Sequence, residues 1–301
     1  MTVPIARRKF VVALAGAATW PLAARAQQGE RVRRLSVLTS LAENDPQAQA
    51  RVAVLTQGLR SLGWTEGRNL RIEYRWIVGG GIDRIRAAVA EVVVSHPDVV
   101  LTNSTPMVQE LQRQTRSIPI VFASLTDPVE TGVVTSLARP GGNATGFMDH
   151  EPALSGKWLE LLKEVAPGVN RVLVLVNSGS DANLIELRAI EAAAPSFGVQ
   201  VSSGTVRDGS EIESAIEVIG RTPNAGLIIT AGIPITDRRQ LIFALASRYR
   251  LPAVYNFRFF AVDGGLLSYG TDDLDMYRRP PSTLIASSRA KSLAIYRYKR
   301  R

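Results

Sequence analysis

The sequence has no cysteine. Disulfides, thiol nucleophiles and cysteine-bound metals are therefore excluded, although export is not. Histidine is nearly as scarce, with only His96 and His150. Two separated imidazoles without a thiol make a poor transition-metal site. His96 precedes Pro97 at a helix end, where a solvated cap is expected. His150 falls between the two halves of the chain, where a hinge or rim contact is expected rather than catalysis. No GxSxG nucleophile elbow, GxxxxGK[ST] phosphate loop or GxGxxG dinucleotide fingerprint is present. The glycine-rich "RPGGNATGF" (139–147) precedes a strand instead of linking a strand to a helix. It reads as a tight turn, not a phosphate cradle.

What is present first suggests, and then withdraws, a polyanionic partner. The chain has 301 residues, of which 46% are apolar and 21% charged, with a formal net charge of +9. Such an excess points to nucleic acid or an anionic membrane. However, residues 1–26 hold four basic and no acidic residues, and residues 280–301 hold six basic and no acidic residues. The remaining 26 basic residues face all 27 acidic ones, so the body is near neutral and nucleic acid is not expected as a partner.

"ARRKFVVALAGAATWPLAARAQQ" has the layout of a secretory signal: Arg7, Arg8 and Lys9, then the apolar stretch 10–18, then Ala24-Arg25-Ala26 as a cleavage site. Arg7-Arg8-Lys9-Phe10 is similar to a twin-arginine signal, with an ordinary Sec signal as the alternative. No later run reaches membrane-spanning length. The mature protein is expected in the periplasm, beginning near Gln27.

The body alternates strands and helices. Strands are expected at 34–40, 70–76, "DVVLTN", "IPIVFA" and "NATGFM", with helices at 46–62, 82–95 and 106–116. A second series follows: helix 152–166 with a stripe of Trp158, Leu161, Leu162 and Val165, strand 171–177, helix 182–194, strand 199–205, helix 210–221, strand "GLIIT", helix 237–249 and strand "AVY". Such alternation predicts an α/β fold of two Rossmann-like lobes with parallel sheets joined by a hinge. The expected domains are 27–149 (with 268–279 returning to it) and 150–267.

Ligands of open parallel sheets bind at the carboxyl ends of the strands. The polar residues expected there are Thr39, Ser40 and Asn44; Asn103, Ser104 and Thr105; and Ser124, Thr126 and Asp127. The second half adds Asn177 and Asp181, Gly232, and Tyr255, Asn256 and Phe257. Such a set suits a small zwitterion. Helix amides and hydroxyls would take a carboxylate, Asp127 or Asp181 an ammonium, and Tyr255 or Phe257 the apolar part. No catalytic residue, metal or cofactor is expected.

The chain resembles the substrate-binding proteins of ABC transporters, in their tryptophan-binding-like branch. The resemblance is carried by "GLRSLGWTEGRNLRIEYRW" (58–76), "IPIVFASLTDPVETGVVTSLARPGGNATGF" (118–147), "KWLELLKEVAPGVNRVLVLVN" (157–177) and "GGLLSYGTDDLDMYRR" (264–279). It implies a type I periplasmic-binding-protein fold. Two lobes close on one small organic molecule, an amino acid or related carboxylate, and the loaded monomer docks on an ABC permease. "NSGSDAN" stands where relatives often carry prolines, so ligand identity is not carried over. Without a cysteine after the signal, a lipid anchor is not expected. The competing readings are a hydrolase or NAD-type enzyme on a similar fold, a two-lobed transcription regulator, and a truncated non-functional family member. Past Arg279, relatives continue with a segment such as "DRILKGEKPGDLPV", whereas this chain reads "PPSTLIASSRAKSLAIYRYKRR". A frameshift near Pro280 is the expectation, a genuine basic tail the alternative. Pro280-Pro281 is expected to break the helix begun at Thr271, and residues 280–301 to pack poorly.

Overall fold

The structure, a computed structural model, describes residues 32–78, 81–149, 152–230 and 232–289. The expected signal segment, His150 and residues 290–301 lie outside the described residues.

The first lobe begins with β1 (Arg33–Thr39), α1 (Pro46–Ser61), β2 (Leu70–Trp76), α2 (Ile82–Val94), β3 (Val99–Thr102), α3 (Thr105–Gln114), β4 (Ile120–Leu125) and β5 (Ala144–Met148). Its five strands are parallel, in the order β2-β1-β3-β4-β5. The short apolar runs of β3 and β4 are buried along their whole lengths, as central parallel strands must be. Helices cover both faces. Leu38, Val89, Met107, Leu111 and Phe122 pack on one face, and Leu35, Val37, Leu55, Leu101 and Phe147 on the other.

Local chemistry sets the ends of these elements. Asp45 caps α1, its side chain accepting from the amides of Gln47 (2.8 Å) and Ala48 (3.4 Å), and Pro46 opens the helix. Beyond α2, His96 is exposed and has a φ of 48°, the left-handed position that commonly ends helices. Gly146 in β5 passes close to β4: a Cβ there would lie 2.0 Å from the Phe122 carbonyl oxygen.

The second lobe repeats the plan. A 3₁₀ turn (Pro152–Ser155) leads into α4 (Gly156–Val165), β6 (Arg171–Asn177), α5 (Asp181–Ala193), β7 (Gln200–Val206), α6 (Gly209–Gly220), β8 (Ala225–Ile229), α7 (Ile233–Asp237), α8 (Arg239–Arg248), β9 (Ala253–Tyr255), α9 (Arg258–Val262) and β10 (Leu267–Ser268). Its parallel sheet runs β10-β9-β8-β6-β7. Numbered within each lobe, both sheets have the strand order 2-1-3-4-5, with a switch point beside the lobe's first strand.

Several boundaries differ from expectation. Residues 152–166 form a 3₁₀ turn and a shorter helix, and the buried stripe of α4 is Trp158, Leu159 and Leu162, with Val165 exposed. The expected helix 237–249 is α8, and a short helix that was not expected, α7, precedes it, with Pro234 in its first turn and Arg238 leaving helical geometry between the two.

After β10 the chain crosses back. Trp158 Nε1 donates to the Tyr269 carbonyl (2.7 Å), holding the crossing against the second lobe. Asp272 caps α10 (Asp273–Arg278), and α11 (Pro280–Arg289) follows. Both return to the first lobe, where Met276, Tyr277 and Leu284 join its core. The helix does break at Pro280, but the expected poor packing is corrected for the residues just after it. Thr283 and Leu284 are only 4% and 3% exposed. Proline is tolerated in the first turn of a helix, and Pro281 packs against Gly58 of α1, where a Cβ would come within 2.7 Å of its ring.

The return is fixed by an ion pair. Arg51 of α1 donates from Nε to Asp273 Oδ2 (2.8 Å) and from Nη2 to Oδ1 (2.9 Å), both side chains being buried. Gln47 Nε2 also donates to Asp273 (2.5 Å). Burial opposes the Arg51 charge, but Asp273 outweighs it and holds the guanidinium pKa above its usual value. The guanidinium lies 5.3 Å from the Tyr277 ring centre. Burial pushes the Tyr277 phenol up to about 12, with Arg51 opposing. Among the described residues no helix is long and apolar enough to cross a membrane.

Two stability measurements check this picture. Leu284→Ala is expected to cost about 2–5 kcal/mol in urea unfolding, as for other buried leucines; a neutral result would mean that α11 does not belong to the core. The raised Tyr277 pKa gives stability that is present below pH 10 and lost as pH rises through about 12, because the unfolded chain ionises first. The loss should be about 2–3 kcal/mol at 1.36 kcal/mol per unit, and Tyr277→Phe should remove that share of it.

Candidate functional site

The carboxyl ends of the two sheets face each other across a cavity of about 90 Å³, room for several waters. Both switch points open onto it. From the first lobe come Ser40 after β1, Asn103, Ser104 and Thr105 after β3, and Ser124 and Thr126 around the end of β4. From the second come Asn177 at the end of β6, Gly232 after β8, and Asn256 and Phe257 after β9. The expected strand-end loops are thus largely brought together.

Five expected residues lie elsewhere. Thr39 is buried, with its hydroxyl accepting from the Leu41 amide. Asn44 is exposed on the loop before α1. Asp127 is turned away by a φ of 35° and accepts from the amides of Val129 and Glu130, so it organises its own turn. Asp181 is exposed at the start of α5, 3.5 Å from Gln109 Nε2. Tyr255 is 1% exposed and stacks on Phe260 within the second lobe's core. Neither Asp127 nor Asp181 therefore lines the cavity, and its acidic groups are others.

Those groups are Asp149 and Glu186, together with Asp273, which Arg51 holds. Asp149 ends the first lobe at the crossing and is buried; its Oδ2 lies 3.4 Å from Ser124 Oγ and 3.3 Å from Thr126 Oγ1. Glu186, on the buried face of α5, accepts from Thr126 Oγ1 (3.2 Å) at Oε1 and from Asn183 Nδ2 (3.0 Å) at Oε2. Asn183 is oriented in turn by the Asn177 amide, which donates to its Oδ1 (3.1 Å). One hydroxyl carries one proton, so Thr126 satisfies only one of its two carboxylates at a time. The Thr126–Glu186 bond also spans the two lobes.

Two more acceptors line the cavity. The side-chain oxygens of Asn103 and Asn256 are buried and have no partner among the described residues. The start of α3 also lines the cavity with Ser104, Thr105 and Pro106, and Ser104 makes no side-chain cap there. Phe257 and Phe259, stacked with ring centres 5.9 Å apart, form an apolar wall, and Phe259 lies 6.0 Å from the Arg51 guanidinium. Among the described residues no group of three or more His, Cys, Asp or Glu side chains gathers as for a metal.

Arg51, Asp273, Asn183 and Glu186 were not expected at the site. Each sits within a helix in a pattern typical of a solvated face, and only the fold turns that face inward.

The family model for ABC transporter substrate binding proteins matches residues 38–279. A tyrosine-binding protein of Clostridioides difficile (strain R20291) is 26% identical over 222 residues, 72% of this chain and 61% of the relative's length. Among solved structures, an ABC domain in complex with L-Trp from Streptococcus pneumonia superposes with a TM-score of 0.78 at 22% identity, covering 88% of this chain and 90% of the other. A conserved domain protein from Vibrio cholerae O1 biovar eltor does so with a TM-score of 0.80 at 25% identity, covering 89% and 90%. The two parallel sheets facing each other across one polar cavity are thus the type I periplasmic-binding-protein fold, and this chain belongs to the ABC transporter substrate binding protein family.

Proposed function

We propose that this protein is the solute-binding component of an ABC importer and captures an amino acid between its lobes. The observation that carries this reading is the composition of the cavity: carboxylates and amide oxygens, the start of α3 with the Ser104 and Thr105 hydroxyls, and a phenylalanine wall. A zwitterion complements all three. Its ammonium would donate to Glu186 and Asp149, whose carboxylates meet at Thr126 between the lobes. Its carboxylate would meet the Ser104–Thr105 end of α3, where the helix dipole favours an anion. An apolar or aromatic side chain would lie on Phe257 and Phe259. The tyrosine-binding relative and the L-Trp complex support this class.

In this role the chain works as a monomer in the periplasm after export, and the loaded, closed form docks on a membrane permease. No step of bond-making chemistry is assigned to the site. Ligand binding would favour closure because the contacting groups come from both lobes.

A thermal-shift screen of amino acids, small organic acids and nucleosides tests the reading. L-tyrosine or L-tryptophan should raise the melting temperature while simple carboxylates of similar size do not. Glu186→Gln is expected to weaken binding of L-tyrosine at least tenfold in calorimetry and to leave the fold intact, since the amide keeps the size and part of the hydrogen bonding. Stabilisation by nucleosides alone, or turnover of a hit, would replace the proposed role with another.

A further inference from the structure

Outside the cavity the two lobes are joined by an ion pair that touches no cavity-lining carboxylate. Arg239, at the start of α8 in the second lobe, places Nη1 2.8 Å from Oδ2 of Asp45, at the start of α1 in the first. The side chains are only 9% and 11% exposed. A second ion pair spanning the lobes among the described residues, Arg188 with Glu130, is 66% and 49% exposed, and pairs of that kind contribute little.

We propose that the Asp45–Arg239 pair is a closure latch: it holds the lobes together independently of the ligand and sets affinity through the open–closed equilibrium. This rests on the reading of the protein as a two-lobed binding protein. Both halves of the latch are organised within their own lobes. Arg239 Nε lies 2.6 Å from Asp263 Oδ2, and Nη1 also donates to the Thr236 carbonyl (3.2 Å). Asp45 uses its other oxygen, Oδ1, to cap α1. Neither side chain has to be ordered anew when the lobes meet, so little conformational entropy opposes the contact. On opening, Arg239 keeps Asp263 as counter-ion, so no buried charge is stranded and the latch can release.

A residue that acts in this way differs measurably from one that touches ligand. Apparent affinity scales with the population of the binding-competent state, so every ligand should lose affinity by the same factor. The division of labour at Asp45 supplies a clean variant: Asp45→Ser retains a good helix cap but has no oxygen to reach Arg239.

The absence of cysteine from the chain makes labelling simple. Asp83→Cys and Glu213→Cys place spin labels on exposed positions in the first turn of α2 and the second turn of α6, near the cleft ends of the two lobes. Inter-label distances in the ligand-free full chain report the closed fraction. Both Asp45→Ser and Arg239→Gln are expected to lower that fraction, with Arg239→Lys intermediate. Dissociation constants for L-tyrosine and L-tryptophan should rise about 5- to 30-fold, by one common factor. An unchanged closed fraction in Asp45→Ser and Arg239→Gln overturns the latch, as does a loss that differs between the two amino acids. If neither amino acid binds the wild type, the amino-acid reading falls, while the label distances still decide the latch.

Discussion

The Arg51–Asp273 pair is the interaction on which the two-lobed architecture turns. The residues are 222 positions apart, yet both oxygens of the carboxylate meet the guanidinium in a buried setting. Paired, each side chain removes the other's desolvation cost; removing one partner would leave a buried charge, which is worth several kcal/mol against folding. The pair docks α10 onto α1 and so brings the chain back to the lobe where it began. It also forms part of the cavity wall, with Phe259 of the other lobe against the guanidinium. The return of the chain and the shape of the site are therefore set by one contact.

Around that contact the logic is that of parallel sheets. Every strand of both lobes runs the same way, so each carboxyl end opens into a loop and each following helix begins there. Bringing two such edges face to face concentrates loop hydroxyls, amide side chains and helix starts in a small volume. The carboxylates of Glu186 and Asp149 enter differently, from inside α5 and from the residue just past β5.

The legible and illegible parts of the sequence divide along the same line. The parallel strands were readable because central strands such as "VVLT" and "RVLVLVN" are short apolar runs between turn signals, and strand-end residues such as Asn103, Asn177 and Asn256 follow from them by position alone. Glu186 and Arg51 were not readable, because a charged residue within an amphipathic helix looks the same whether its face meets water or the opposite lobe. Asp127 and Asp181 misled for the converse reason: they occupy strand-end positions, but the backbone at Asp127 turns its carboxylate onto local amides, and Asp181 stands outside the cleft. The packing of Leu284 was hidden because a single leucine in a basic, aperiodic segment carries no signal until its hole in the first lobe is known.

The placement of that hole has a consequence for the order of events during synthesis. The second lobe, from the helix at Gly156 to the strand at Ser268, is one uninterrupted stretch of chain and can complete its own core as soon as it has emerged. The first lobe cannot, since Met276, Tyr277 and Leu284 are part of its core and are made more than a hundred residues after β5. Its helix α1 and sheet must wait, with one apolar face uncovered, while the later lobe is translated. The usual sequence in which the amino-terminal unit folds first is thereby reversed: the lobe that starts the chain is the last to finish, and a nascent chain paused before residue 276 presents a bare α1 face to whatever chaperone attends it.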